Sequence, residues 1–369
     1  MEGFSGFNPA MLTAAREAQR LTQTALARLL GVSQPLVARW EAAGHTEAGD
    51  REPDLVQRRA LAEALRVHPR LFAQPGSAAR ASESEYFHRA FAKARRTDVK
   101  AAHARCGLIE LQADRLLDLE GAPEDRIPEI DPENHAGDAE KIAGWARTRM
   151  GLAPGPVDNL VRTVEDCGGL VIDHDLEIDN VDALCHWRPG LPKLFFLNGN
   201  RPGDRMRLSL AHELGHTVMH LGRDTELKLA EEQAQRFAAA FLLPSADFRP
   251  DLTFRLDLSR LMTLKRKWRV SMQAIAYRAH QLGAIDQTRF RSLFQQISRK
   301  GWRKTEPVEV RRESPMAFKR LLRAHVDAGF TREDLAMLLL VPPARVDEML
   351  VDASSPDWED GGVRLRLAR

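Results

Sequence analysis

Little in this sequence of 369 residues marks a secreted, membrane-spanning or nucleotide-binding protein. Its three cysteines, Cys106, Cys167 and Cys185, are odd in number and scattered. They suit free thiols in a reducing cytoplasm rather than a disulfide framework, and nothing in their spacing suggests metal binding. The N-terminus lacks the apolar core of a signal peptide, and no apolar run reaches the length that crosses a bilayer, so a cytoplasmic location with no membrane partner is expected. No Gly-rich phosphate loop and no solenoid repeat occurs. Net charge is nearly absent as well, at +2 from 54 basic and 52 acidic side chains, so the chain as a whole has no strong attraction for polyanions.

What is present is ordinary globular usage, 43% hydrophobic and 29% charged, in a chain longer than one core normally organises. Pro- and Gly-rich punctuation divides it into 1–75, a helical linker region 80–135, a central domain 136–300 and a C-terminal helical domain 301–369. The linker includes a long helical pair over 83–120. Further helices are expected over 136–150 and 157–166, with short strands at 170–172, 183–187 and 194–197 and helices again to about 299. The fold class is therefore mainly α with a small β-sheet (α+β). Charge is unevenly spread: 110–140 holds eleven acids and two Arg, whereas 255–304 holds thirteen Lys and Arg against Asp257 and Asp286. The basic stretch is a nucleic-acid contact or, more commonly for such a run, a solvated helical face.

The strongest chemical signal is His212-Glu213-Leu214-Gly215-His216. Residues four apart share one face of a helix, so two imidazoles can reach one cation while Glu213 stands beside it as a general base. The turn residues 198–204 precede it, Asp204 is a candidate N-cap for a helix over 205–221, and Leu208, Ala211, Leu214, Gly215 and Val218 form its apolar stripe. A buried histidine pair needs partners, and a metal supplies them for both rings; two satisfied core histidines are the alternative. A third ligand is sought on the next amphipathic segment, 231–243, stopped by Pro244. Its stripe of Ala234, Phe237, Ala238 and Phe241 extends back to Glu231, while Glu232 points elsewhere. The competing explanation for Glu231 is a solvated first-turn carboxylate favoured by the helix dipole. Two His and one Glu would leave a vertex for water, which is the open arrangement of a catalytic site.

The run from Arg205 through His216, followed by Glu231, Ala234, Phe237, Ala238 and the Leu242-Leu243-Pro244 ending, resembles the ImmA/IrrE family of metallopeptidases. The resemblance extends through Val270-Ser271, Ala274-Ile275, Tyr277-Arg278 and Leu282-Gly283 to Gly301-Trp302-Arg303-Lys304 and Glu306-Pro307. It implies a gluzincin-like metallopeptidase domain with metal ligands His212, His216 and Glu231, the catalytic base Glu213, and Zn2+ as cofactor with Mn2+ as the alternative. It also implies a soluble endopeptidase whose protein substrate is a helix-turn-helix repressor, cut to switch on stress-response or mobile-element genes. One departure is Gln235, where the family usually has an Asn that would orient a ligand. The short apolar run 193–197 suits a strand. Were it at a sheet edge beside the metal helix, an extended peptide could add to it near Phe196 and Asn198, the expected substrate-binding residues; a plain core strand is the alternative.

The N-terminus carries a second signal. Helices are expected over 12–21, 23–30 and 34–42, with Thr22 and Ser33 as caps, a turn at Gly31-Val32 and Pro35 tolerated in a first turn. The string Gln23, Leu26-Ala27, Leu30-Gly31-Val32-Ser33-Gln34, Val37, Trp40-Glu41 is similar to Xre/Cro-type regulators, which implies a helix-turn-helix that binds double-stranded DNA. Gln23, Ser33, Gln34, Ala38 and Arg39 are the expected DNA-binding residues, with Gln34 suited to an adenine edge and Arg39 to a guanine or a phosphate. Nine Arg against eight acids over 1–75 is a weak charge for this task, so a homodimer through 55–65, or a protein-contact role, is weighed beside it. Residues 318–350 resemble a degenerate second helix-turn-helix, better suited to packing or dimerisation than to reading DNA. His174, His186, His220 and Tyr277 could approach the metal site, but none is assigned a role there. The competing function is a DNA-binding autorepressor or antitoxin-type regulator whose metallopeptidase-like domain is a sensor or docking surface.

Overall fold

A computed structural model of the protein describes residues 6–42, 52–76, 95–121, 123–175, 181–187 and 191–353. Among these the chain is mostly helical, with one three-stranded sheet. Of the helical pair expected over 83–120, residues 83–94, including Tyr86, Phe87, His88 and Arg89, lie outside the described residues.

The N-terminal bundle comprises α1 (Pro9–Ala18), α2 (Gln23–Leu30), α3 (Gln34–Ala42) and α4 (Leu55–Leu65). Local chemistry sets its ends. Thr22 accepts from the Ala25 N–H to cap α2, Gly31 closes it with φ 67°, and Asp54 with Gln57 forms a capping box for α4. Helix α1 starts three residues before the expected position, because Asn8 caps the Ala10 N–H, Pro9 fits the first turn, and the chain leaves the helix at Arg20, φ 56°. Leu12, Leu26, Val37, Trp40, Leu61 and Phe72 form a closed core.

Helix α5 (Arg96–Glu120) joins this bundle to the rest. Ala104, Leu108 and Leu111 pack on the N-terminal core, and Ala102, Cys106, Ala113 and Leu116 belong to a second core shared with the sheet and the C-terminal helices. Those helices are α14 (Ala317–Asp327), α15 (Arg332–Leu339) and α16 (Pro343–Ala353). The His68 N–H donates to the Leu340 carbonyl at 2.9 Å, so the two helix-turn-helix-like units touch through their backbones. The segment 318–350 thus spends its apolar side on α5 and β1 (Leu170–His174) as an internal packing module.

The central part orders α6 (Ala139–Arg149), α7 (Leu160–Asp166), β1, β2 (Ala183–His186), β3 (Leu194–Asn198), α8 (Gly203–His220), α9 (Leu227–Leu242), α10 (Ser245–Phe248), α11 (Leu258–Trp268), α12 (Met272–Gln281) and α13 (Gln287–Arg299). The strand order is β1-β3-β2, with β1 parallel and β2 antiparallel to β3. Every residue of β3 is buried, because Phe195 and Leu197 enter the core shared with α8 and α9 while Leu194 and Phe196 enter the one shared with α5. The edge-strand expectation is therefore corrected. Both sides of β3 are paired, Phe196 faces away from α8, and the Asn198 amide donates to the Val181 carbonyl at 2.8 Å inside the protein.

Buried polar ties fasten residues 306–317 against this core. Arg207 is fully buried, donates to the Val157 carbonyl at 2.6 Å and pairs with Glu313. Lys265 Nζ sits 2.5 Å from Asp204 and 2.6 Å from Glu306. Asp204 is thereby taken from the capping role expected for it, and α8 begins at Gly203, where a Cβ would run into the carbonyls of Val310 and Arg311. Glu165 on α7 accepts from the Met316 and Ala317 N–H groups at 2.9 and 3.0 Å, at the start of α14.

Desolvation pushes the Glu165 carboxyl up to about 7, against the pull of the Ala317 and Met316 N–H bonds. Between the ordinary carboxylate range and that value the folded state keeps a proton the unfolded state has lost, so the contribution favours folding in acid and is lost as pH rises through about 7. Denaturant melts from pH 4.5 to 7.5 should carry a stability loss with a slope of at most about 1.4 kcal/mol per pH unit from this group. Glu165→Gln should flatten it; an unchanged profile would show that Glu165 is ionised throughout.

Candidate metal centre and helix-turn-helix face

The metal-ligand candidates stand on α8 and α9, whose contact is unusually close. A Cβ at Gly215 would lie 2.9 Å from the Phe237 ring and 3.2 Å from the Phe237 Cβ, so the glycine within the His-Glu-x-x-His run is what lets α9 approach. Helix α9 begins at Leu227, one turn earlier than the expected start at Glu231. Glu231 consequently lies beyond the first turn, and the dipole-favoured terminal carboxylate does not describe it. Glu232 is exposed, as the stripe implied.

His212, His216 and Glu231 each offer a ligand atom within 4.8 Å of the others. His216 Nε2 is 3.1 Å from His212 Nε2 and 3.4 Å from Glu231 Oε1, and His212 Nε2 is 3.8 Å from Glu231 Oε2. Zinc bonds of about 2.0–2.1 Å place neighbouring atoms of a tetrahedron roughly 3.4 Å apart, so this donor set fits one such cation. His216 is buried, whereas His212 keeps a fifth of its side chain exposed, so the cluster opens to solvent on the His212 side.

Glu213 points toward β2. Burial and then the nearby Glu231 charge push its carboxyl up to about 8, opposed by a hydrogen bond from the Cys185 backbone N–H. A dication among the three candidate ligands would draw it back down. Thr217 donates to the Glu213 carbonyl at 2.8 Å and sits 3.2 Å from Cys185 Sγ, tying α8 to β2. Among the described residues, the edge strand beside the candidate base is β2, whose four residues are buried, and not β3.

Behind His216 lies a polar chain that sequence reading did not assemble. His216 Nδ1 is 3.1 Å from His220 Nδ1, His220 Nε2 is 2.9 Å from Gln233 Oε1, and Gln233 Nε2 donates to the Gly137 carbonyl at 3.5 Å. His220 is buried and its pKa is pulled down to about 4, chiefly by desolvation, so it is neutral near pH 7. The four-residue spacing of His212, His216 and His220 was the available signal; Gln233 and Gly137 were not legible. Gln235, expected to orient a ligand, is exposed. It lines a cleft of about 1420 Å3 with Arg205, Leu208, Ala239, Tyr277 and Lys304, opening one turn from His212 and Glu231. His186 lies on the opposite sheet face, 3.0 Å from Glu110.

In the N-terminal bundle, Arg16 holds Glu41 through two bonds of 2.5 and 2.9 Å, Glu41 accepts from Gln23 at 2.8 Å, and Gln23 accepts from Gln34 at 2.9 Å. The side chains of Gln23 and Gln34 are thereby preset by a half-buried ion pair. Arg39 and Ser33 are exposed, and Ala38 is half-buried. Part of the basic stretch 255–304 is spent on internal partners. Besides Lys265, Arg278 pairs with Glu140 at 2.7 Å, Lys267 with Asp251 at 2.7 Å, and Arg289 donates to the Leu256 carbonyl. Arg255, Arg266, Arg291, Arg299, Lys300, Arg303 and Lys304 remain exposed, as on a solvated helical face.

A helix-turn-helix bundle on the same chain as a His/Glu cluster is the architecture of a regulator with a metallopeptidase-like domain. Residues 164–280 match the peptidase family model described as the IrrE N-terminal-like domain, and residues 12–72 match a helix-turn-helix family model. One polypeptide therefore carries an Xre-type helix-turn-helix region and an ImmA/IrrE-like peptidase region. A search of curated proteins finds no match. Among the described residues no helix is long and apolar enough to cross a membrane, and all three cysteines are free and buried.

Gly215→Ala should force α8 and α9 apart. Overpacking of this kind costs about 1–3 kcal/mol, and the displacement of Glu231 should weaken zinc uptake in equilibrium dialysis; a variant with wild-type melting and wild-type uptake would show that the contact is not needed.

Proposed function

We propose that the protein is a zinc-dependent endopeptidase and DNA-binding regulator that cleaves a helix-turn-helix repressor. The observation that carries this reading is the convergence of His212, His216 and Glu231 ligand atoms beside Glu213. The first three would hold the cation, zinc or alternatively manganese, which would supply Lewis acidity toward a water and a peptide carbonyl. Glu213 takes the water proton and returns it to the leaving amine, and the Cys185 N–H keeps its carboxylate aimed along β2.

An extended substrate would align along β2, an edge strand among the described residues, replacing the rail first sought on β3, and continue into the cleft lined by Leu208 and Gln235. The partner on the DNA side is double-stranded DNA, approached by Gln23, Ser33, Gln34, Ala38 and Arg39. The Arg16–Glu41–Gln23–Gln34 chain supports that assignment because it fixes an amide at the start of α3 before DNA arrives. Three buried thiols fit a reducing cytoplasm. An autorepressor or antitoxin-type regulator with a purely docking metallopeptidase-like domain is the competing reading, but such a domain has no use for a pre-aimed general base.

Glu213→Gln should retain about one zinc per chain while losing cleavage of repressors encoded near its gene by 10²-fold or more, on the order of a general base's contribution. Glu231→Ala should lose the metal itself. Cleavage by the Gln variant would remove Glu213 from its role, and metal retained in the Ala variant would remove Glu231. A gel shift with the DNA upstream of its own gene tests the second activity: Gln34→Ala and Arg39→Ala should weaken binding, and equal shifts would point to protein contact instead.

A further inference from the structure

We propose that His220 and Gln233 form a positioning relay that fixes which nitrogen of His216 is presented to the metal, an inference that rests on the metal-site reading above. Each link has a direction, and the two ends impose the same one. At the far end, the Gly137 carbonyl can only accept, so the Gln233 amide nitrogen faces it and Oε1 is turned toward His220. An acceptor there requires His220 to carry its proton on Nε2, which leaves His220 Nδ1 as a lone pair. That lone pair, 3.1 Å from His216 Nδ1, requires His216 to donate from Nδ1 and therefore to keep Nε2 unprotonated. At the near end, His216 Nε2 is the atom 3.1 Å from His212 Nε2 and 3.4 Å from Glu231, so it must be a lone pair to ligate.

The alternative tautomer fails at both ends. A proton on His216 Nε2 would point into the ligand cluster, and His220 would then have to donate from Nδ1 and accept from a Gln233 oxygen that has no proton to give. The relay is buried, with His216, His220 and Gln233 at 1, 2 and 7% exposure, so water does not readily offer substitute partners. Because Gly137 precedes α6, the relay also ties the ligand ring to a third element besides α8 and α9. Partners behind a ligating imidazole set its orientation and basicity, and losing one typically costs 10–100-fold in metal affinity.

The test is zinc affinity by chelator competition, together with melting of the metal-free protein, on the full chain. His220→Leu keeps the volume apolar and removes the acceptor, so it should bind zinc about 10–100-fold more weakly without a matching drop in metal-free melting temperature. His220→Asn, whose side-chain oxygen can stand near the position of Nδ1, should recover most of the affinity. Gln233→Leu should weaken binding less than His220→Leu. In zinc-loaded protein labelled at histidine nitrogens, one slowly exchanging N–H signal should belong to His216 Nδ1 and disappear in His220→Leu. Wild-type affinity in His220→Leu, or equal loss in the Leu and Asn variants, would overturn the relay, as would a wild-type chain that takes up no zinc. Cleavage is not part of the readout, so failure of the peptidase assignment is seen separately.

Discussion

The close contact of α8 with α9 at Gly215 and Phe237 is the constraint on which the rest of the centre depends. Ligand atoms around one small cation must come within a few ångströms of each other, and two helices carrying ordinary side chains at the crossing stand too far apart for a short carboxylate to join two imidazoles. Removing one Cβ at the crossing brings Glu231 to within 3.8 Å of both histidine Nε2 atoms. Phe237 then fills the space beside the glycine and stacks on Phe241, so the approach is locked by packing as well as permitted by it.

Placing polar rings in such a tightly packed region brings a desolvation cost, and the structure offsets it with directed hydrogen bonds. His216 leans on His220, His220 on Gln233 and Gln233 on the Gly137 carbonyl. Next to His212 on α8, Glu213 is held by the Cys185 N–H of β2.

Much of this was legible in the chain. The His212-Glu213-x-x-His216 spacing, the selection of Glu231 over Glu232 by the apolar stripe, the capped helices of the N-terminal bundle and the three strands each follow from short-range pattern, because caps, periodicity and turn residues act over a few positions. What misled was long-range. Asp204 looks like a cap until Lys265 arrives from 61 residues away. The run 193–197 looks like an available rail until both neighbours pair with it. The basic stretch 255–304 looks uniformly solvated until Glu140, Asp204, Asp251 and Glu306 take part of its charge.

The sequence by itself determined which elements form and which side chains are candidates for holding a metal or facing DNA, since these depend on residue type and on spacing within one helix. Tertiary structure alone decided that β3 lies between β1 and β2, that Gln233 rather than Gln235 supports a histidine, and that α5 joins the helix-turn-helix bundle to the C-terminal helices. Each of those outcomes depends on which distant segments share a core, a matter of chain topology and competing burial that no local pattern encodes.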